Sequence, residues 1–107
     1  MDSVRLAAIK YGFVTAIEGC TRVAQHIGAS EGWRAPDSNA DALAVLAEHG
    51  VIAAELGMDL ARAVGFRNLL VHLYADVDDD RVVSMLDRVG DLEDFVSAVS
   101  SWIAAHH

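Results

Sequence analysis

The chain has 107 residues, a length that predicts a single domain, residues 1–107, built around one hydrophobic core. Hydrophobic residues make up 53% of the chain, and its formal net charge is −8. This composition excludes a disordered tail, and it excludes a generic nucleic-acid coat protein because such proteins need extended cationic patches. The acidity favours docking against a basic protein surface instead.

The sequence also bears on the compartment in which the protein works. No stretch has the roughly 18 apolar residues that a bilayer span needs, and the first residues lack the pattern of a secretion signal. We therefore expect a cytoplasmic location and no membrane contact. Cys20 is the only cysteine, and its place on an apolar helix face predicts a buried thiol that packs like a small hydrophobic side chain.

The first predicted element is a long helix from about residue 3 to 28, ended by Gly28. Hydrophobic residues recur along it at steps of three and four. The residues of this stripe are Leu6, Ile9, Phe13, Ala16, Ile17, Cys20, Val23, Ala24 and Ile27. Residues 28–39 contain glycine, proline and small polar side chains, so they predict a loop, which Trp33 is expected to attach to the core.

Three further helices are predicted along the rest of the chain. Asp37, Ser38 or Asn39 is expected to cap a short helix that stops before Gly50. A third helix follows residues 51–52, and Gly65 within it is expected to allow close helix contact. Carboxylates stabilise helix N-termini, so the run of aspartates at 76–80 predicts the start of a last helix. Its inward-facing residues are predicted to be Val82, Val83, Leu86, Val89, Leu92, Phe95, Val96, Val99, Trp102 and Ile103.

No segment shows the alternation that is typical of a strand. The sequence therefore predicts an all-α protein, an antiparallel bundle of about four helices with short connections. The surplus of apolar side chains over a typical domain also predicts that the protein forms a homodimer.

Residues 67–74 concentrate four hydrogen-bonding side chains in an otherwise apolar stretch: Arg67, Asn68, His72 and Tyr74. Buried polar groups cost free energy unless they are paired, so the cluster needs a partner or a function. On a helix, Asn68 and His72 share one face, whereas Arg67 and His72 project about 140° apart. One chain therefore presents an incomplete polar edge, and two copies facing across a twofold axis would form a denser site.

Arginine and histidine together suit phosphate chemistry. The guanidinium matches phosphate oxygens, and the imidazole exchanges a proton near neutral pH. Such a pair suffices for RNA cleavage by the RNA's own 2′-hydroxyl without a metal, and DNA, which lacks that hydroxyl, would not be cut. The sequence has no zinc-ligand spacing, and the aspartates at 76–80 lack the pattern of a calcium loop, so we expect no metal and no cofactor.

A purely structural interpretation explains the same residues. Asn68 and His72 could form an internal hydrogen-bonded pair, and Tyr74 could bury its ring while exposing its hydroxyl group. Arg67 could bind a carboxylate near Asp76, and Glu18, which lies within an otherwise apolar helix, is a second candidate partner. The residues alone leave the structural and the functional interpretation open.

The segment from Gly65 to Tyr74 resembles the Arg-x4-His-x-Tyr signature of the HepT-like toxins. These belong to the HEPN superfamily of helical ribonuclease and nucleotide-binding domains. Segments 16–20, 26–27, 46–52 and 76–80 are similar as well, so the resemblance extends from about residue 5 to 103. Family members commonly have another helix ahead of the segment that begins here at Met1, so the resemblance implies a chain shortened at its N-terminus or a misplaced start codon.

The resemblance implies a homodimeric, HEPN-like helical fold and the toxin component of a toxin–antitoxin pair. It implies that Arg67 and His72 are the catalytic ribonuclease pair of a composite site across the homodimer, with Asn68 in a supporting role. Tyr74 matches the tyrosine to which, in some members, a partner nucleotidyltransferase antitoxin attaches AMP. The alternative is a non-catalytic helical module that binds a nucleotide or a nucleotidyltransferase partner.

Overall fold

The computed structural model describes residues 3–72 and 88–107, which form four α-helices and no strand. The helices are α1 (Ser3–Glu31), α2 (Asn39–Glu48), α3 (Ala54–His72) and α4 (Val89–His106). The predicted all-α bundle is confirmed. The predicted last helix is helical from Val89 onward, whereas residues 76–80 and the inward positions predicted at 82, 83 and 86 lie outside the described residues.

The core lies where α1, α2 and α3 meet, and α4 packs against α3 and α1. Ile17 of α1, Leu43 and Leu46 of α2 and Leu60 of α3 are each at most 1% exposed. Full burial of one such side chain stabilises the folded state by about 1.5–3 kcal/mol. Cys20 is 7% exposed, and burial raises the pKa of its thiol to about 11, which confirms the predicted buried thiol.

Two glycines with positive φ end α1 and α2. At Gly32 (φ 72°), the N–H of Trp33 donates to the carbonyl of Gly28 at 2.9 Å. At Gly50 (φ 75°), the N–H of Val51 donates to the carbonyl of Leu46 at 3.0 Å, as predicted for a helix that stops before Gly50. This bond pattern closes a helix where the next residue adopts the left-handed conformation. The predicted end of α1 at Gly28 is therefore wrong, because a glycine inside a helix costs only about 1 kcal/mol and does not stop it.

The segment between α1 and α2 is attached to the core by an aromatic contact. The ring of Trp33 stacks on His49 with centroids 3.9 Å apart and lies edge-on to Trp102 at 5.9 Å. Trp33 thus has the predicted anchoring role. Ser38 is the residue that caps α2, since its hydroxyl oxygen accepts a hydrogen bond from the N–H of Asp41 at 3.0 Å.

The close contact between α2 and α3 lies at Gly57 and not at the predicted Gly65. A Cβ added to Gly57 would lie 3.3 Å from the Cβ of Ala47, whereas one added to Gly65 would meet no described atom within 4 Å. The prediction at Gly65 was wrong because glycine content alone does not say which face of α3 meets a neighbour.

Some hydrophobic side chains predicted to face inward are exposed. In α4, Phe95 and Val99 are buried as predicted, whereas Val89, Val96 and Ile103 are 40%, 62% and 45% exposed. These three lie roughly 80–120° around the helix from Phe95, outside the sector that contacts α1 and α3. Val23 of α1 is likewise 40% exposed, against prediction. None of the described helices combines the length and apolarity of a membrane span.

Candidate functional site

The core packing of α1 and α3 brings Glu18 and Arg67 together from positions 49 residues apart in the chain. Ile17, next to Glu18, is 1% exposed, and Val64, three residues before Arg67, is 4% exposed. These buried neighbours fix the rotation of each helix about its axis. Thr21, itself buried, donates its hydroxyl proton to the carbonyl of Glu18 at 2.8 Å. Glu18 and Arg67 therefore meet at a fixed position on the edge of the core.

Arg67 and Glu18 form a hydrogen-bonded ion pair in which Nη2 of Arg67 donates to Oε1 of Glu18. The side chains are 23% and 39% exposed, so the pair is half-buried and still open to solvent. The predicted pairing of Arg67 with Glu18 is confirmed, and the alternative carboxylate near Asp76 lies outside the described residues. The hydrogen bond from Arg67 lowers the pKa of Glu18, and the positive charges of Arg67 and Arg22 act in the same direction.

The other predicted site residues lie on or beyond the end of α3. Asn68 and His72 are part of this helix, and their side chains are outside the described part of the structure. Because α3 is continuous to His72, the backbone places positions 67 and 72 about 140° apart around the helix axis, as the sequence predicted. Tyr74 lies outside the described residues, so its predicted place in the site stays a prediction.

Arg22 is a candidate that the sequence interpretation missed. It is exposed on α1, four residues after Glu18, and therefore on the same face of the helix. Among the arginines whose side chains the structure describes, Arg34, Arg62, Arg67 and Arg88 each form an ion pair with a described carboxylate, and Arg22 forms none. The Glu-x3-Arg spacing was the signal that could have identified it. We name Glu18, Arg22 and Arg67 the Glu18 edge.

A second group of charges lies along α2, with Asp41 in the first turn of the helix and Glu48 at its last residue. Nη1 of Arg34 donates to Asp41 at 2.7 Å, and its Nη2 donates to Glu48 at 2.7 Å. Its Nε also donates to Glu48, at 3.0 Å. We name Arg34, Asp41 and Glu48 the Arg34 cluster. Two carboxylates already occupy this guanidinium, so the cluster fits a structural role.

The Glu18 edge has the properties of a site for a phosphate group. Two guanidinium groups and one carboxylate sum to a single positive charge, within a chain whose formal net charge is −8. Guanidinium groups bind phosphate oxygens through paired hydrogen bonds. Within residues 3–72 and 88–107, no three histidine, cysteine, aspartate or glutamate side chains are grouped as metal ligands would be. The described edge can therefore bind an anion, and proton transfer would need the imidazole at position 72.

Comparisons with known proteins identify the family of this chain. Residues 1–99 match the family model described as Ribonuclease HepT-like. The chain is 31% identical over 85 residues to "mRNA nuclease HepT" from Shewanella oneidensis, and the match covers 78% of this chain. It is 30% identical over 86 residues to a "Putative RNase" from Archaeoglobus fulgidus, with 80% of this chain covered. The chain spans 64% of the length of each of these two curated relatives.

Solved structures share the fold. A tri-AMPylated Shewanella oneidensis HEPN toxin in complex with an MNT antitoxin superposes with a TM-score of 0.88 at 26% identity. That match covers 94% of this chain and 77% of the toxin chain. A toxin–antitoxin structure with AMP-PNP gives a TM-score of 0.84 at 26% identity, covering 92% of this chain and 76% of the other. The HEPN-like bundle expected from the signature is thereby confirmed.

Proposed function

Because this chain belongs to the Ribonuclease HepT-like family, we propose that it is the toxin of a toxin–antitoxin pair and an endonuclease that cleaves RNA without a metal. The observation that carries the proposal is the ion pair between Arg67 and Glu18. It holds a guanidinium half-buried on α3, the helix that contains the family signature, five residues before His72. The reaction takes place in the cytoplasm, where such an enzyme meets its RNA.

The proposed reaction uses the RNA's own 2′-hydroxyl as the nucleophile. An imidazole at position 72 takes the hydroxyl proton, the 2′-oxygen forms a bond to phosphorus, and the bond from phosphorus to the 5′-oxygen breaks. A protonated imidazole returns a proton to the departing 5′-oxygen. Arg67 stabilises the charge that builds on the phosphate oxygens, and Asn68 supports the same site through a hydrogen bond. The products are a 2′,3′-cyclic phosphate and a 5′-hydroxyl.

The proposed enzyme is a homodimer whose two copies share the site. Positions 67 and 72 project about 140° apart on the continuous helix α3, so one copy alone does not direct both at a single phosphate. Across a twofold axis, Arg67 of one copy and His72 of the partner subunit would face the same groove. Val4 and Tyr11, which are 79% and 75% exposed on α1, offer apolar surface for this association. Light scattering at micromolar concentration should give the mass of a dimer, and a monomer would contradict this part of the proposal.

The proposed inhibitor is a cognate nucleotidyltransferase antitoxin that attaches AMP to Tyr74. The structural relative described above is AMPylated and bound to an MNT antitoxin, which supports the same regulation here. The added phosphate would lie two residues from His72, where it would compete with RNA for the site and repel its phosphates. Incubation with the antitoxin and ATP should add the mass of AMP to the wild type, and Tyr74→Phe should abolish that addition.

The net charge of −8 favours a second candidate function, because an acidic chain repels long RNA. In this alternative the protein is a non-catalytic helical module that binds a nucleotide or a nucleotidyltransferase partner through the same residues. Thermal stabilisation by ATP, in a protein that does not slow growth and does not cut RNA, would support the module over the enzyme.

Cleavage of single-stranded RNA by the purified protein tests the enzyme directly. We expect fragments that end in a cyclic phosphate, in the presence of EDTA as well as in its absence. A DNA strand of the same sequence should stay intact, and His72→Ala should stop cleavage. Equal cutting by the wild type and His72→Ala would assign the activity to a contaminant and reject the proposal.

A further inference from the structure

Among the described arginine side chains, Arg22 is the one that forms no ion pair with a described carboxylate. Its position on the protein is set by helix α1. Glu18 and Arg22 are four residues apart, so they lie on one face about one helical turn from each other. Arg67 reaches the same face from α3 through its bond to Glu18. Glu18 therefore lies between two arginines that come from different helices.

The surroundings of Arg22 favour an anion. The charges that act on the pKa of Glu18 are those of Arg67 and Arg22, and both lower it. In the Arg34 cluster, by contrast, the hydrogen bonds from Arg34 lower the pKa of Glu48, and the negative charge of Asp41 opposes this effect. The three described side chains that define the Glu18 edge thus sum to one positive charge, on a protein of net charge −8. Such a group attracts a phosphate that the rest of the surface repels.

The surface between Glu18 and Arg22 is open to the approach of a strand. Gly19 is exposed, and a Cβ added there would meet no described atom within 4 Å. Thr15, one turn before Gly19, donates its hydroxyl proton to the carbonyl of Tyr11 at 2.9 Å, so this polar group is already satisfied. A nucleic-acid backbone can therefore lie along this face of α1 without displacing a bulky side chain.

We propose that Arg22 is an RNA-binding residue of this protein, which holds a backbone phosphate next to the scissile phosphate at Arg67. This inference rests on the proposed ribonuclease function. It adds the path of the bound RNA strand, which runs from Arg67 on α3 to Arg22 on α1. Arg22 contributes binding and takes no part in the chemical step.

A protein partner is the other class of molecule that Arg22 could bind. The overall acidity of this chain fits a basic partner surface, and such a surface would repel an arginine that carries an uncompensated charge. The position of Arg22 beside Arg67 therefore favours RNA over the antitoxin.

The salt dependence of RNA binding tests the inference. The probe is a single-stranded RNA whose 2′-hydroxyls are methylated, so that it binds and is not cut. Each phosphate contact to a single strand contributes about −0.7 to the slope of log K against log salt concentration. Arg22→Gln should reduce the magnitude of this slope by about 0.7 and weaken binding roughly fivefold at low salt, whereas Arg22→Lys should restore most of both. On cleavable RNA, KM should rise for Arg22→Gln while kcat stays unchanged.

Arg62→Gln is the matched control, because it removes the same charge from an exposed arginine that Asp59 already binds at 3.1 Å. Equal slopes for Arg22→Gln and Arg62→Gln, with a wild type that binds and cuts RNA, would overturn the role of Arg22 and leave the proposed function intact. A wild type that neither binds nor cuts RNA would reject both. If Arg22→Gln weakens capture of the antitoxin or dimerisation while RNA binding is unchanged, Arg22 belongs to a protein interface and the inference is wrong.

Discussion

The Arg34 cluster and the Glu18 edge are built from the same two kinds of side chain in opposite proportion. Along α2, one arginine is bound by two carboxylates, one in the first turn of the helix and one at its end, and the three side chains sum to one negative charge. Between α1 and α3, one carboxylate lies between two arginines, and the sum is one positive charge. Both groups are partly exposed, so the difference lies in charge balance rather than in depth.

The difference in balance separates a structural role from a binding role. In the Arg34 cluster, all three nitrogens of the guanidinium donate to carboxylate oxygens, and the hydrogen bonds from Arg34 lower the pKa of both Asp41 and Glu48. This arrangement joins the segment before α2 to the helix itself and has no attraction for a phosphate. At the Glu18 edge, Arg22 forms no ion pair with a described carboxylate, so its charge can attract a phosphate. Substitutions in the two groups test this contrast.

The largest expected effect is on catalysis by Arg67→Ala. Removal of a group that stabilises charge in the transition state lowers kcat by roughly 10²–10³-fold, so we expect a loss of this size in cleavage of single-stranded RNA. Arg34→Ala should keep kcat within about twofold of the wild type, since no phosphate contact is lost, and should lower the melting temperature instead. Rates per folded molecule, with folding checked by circular dichroism, measure both. A similar loss of kcat in Arg34→Ala would show that charge balance does not separate the two groups.

The next effect in size is a split between kcat and KM in Glu18→Gln. Without its carboxylate partner, Arg67 is less well positioned, and we expect kcat to fall roughly tenfold, as misplacement of a catalytic group does. The Glu18 edge then carries two positive charges and none that is negative, so RNA should bind more tightly and KM should fall about twofold.

Glu55→Gln is the control for this variant, because it removes a carboxylate from an exposed position in the first turn of α3, twelve residues before Arg67. It should leave kcat and KM near the wild-type values. A Glu18→Gln enzyme that loses kcat and also binds RNA more weakly would mean that Glu18 only stabilises the fold.

Much of the fold and part of the site were predictable from the sequence. The steps of three and four residues in α1 identified Phe13, Ile17 and Ala24 as core, because a helix that is buried on one face has hydrophobic residues at this spacing. The pairing of Glu18 with Arg67 was predictable because a carboxylate inside an apolar helix needs a partner. The end of α1 was not, since Gly28 and Gly32 differ only in the backbone conformation that each adopts.

The Glu-x3-Arg spacing places Arg22 near Glu18, but the sequence does not show which arginines are bound by other carboxylates. Arg22 and Arg34 are the same residue type, both exposed, within 12 residues of each other. Only the folded structure shows that Arg34 binds Asp41 and Glu48, whereas Arg22 forms no ion pair with a described carboxylate. Likewise, the apolar stripe of α4 could not show that Val96 is exposed to solvent. Hydrophobic periodicity indicates which face of a helix is buried, but it does not show how much of that face contacts the neighbouring helices.

A smaller effect is expected in the acid stability of Asp41→Asn. The hydrogen bond from Arg34 lowers the pKa of Asp41 to about 2 from an ordinary value of 3.8. A lowered pKa in the folded state stabilises the fold above pH 3.8, and this contribution is lost as the pH falls towards 2. Asp41→Asn should therefore melt below the wild type at pH 7, and the difference should shrink as the pH falls below 3.8 and disappear below pH 2. A difference that is constant across this range would mean that packing, and not the charge of Asp41, supports the Arg34 cluster.

The smallest expected effect belongs to Cys20→Ala, which tests whether the two faces of α1 act separately. Cys20 lies between Glu18 and Arg22 in the chain but is 7% exposed and points into the core. Removing its sulfur should lower the free energy of unfolding by about 1 kcal/mol, the scale of a small cavity, and should leave the salt slope of RNA binding unchanged. Denaturant unfolding and the same binding titration measure the two quantities. A changed slope would show that the core face and the RNA-binding face are coupled, because a shift of α1 would then move Arg22 relative to Arg67.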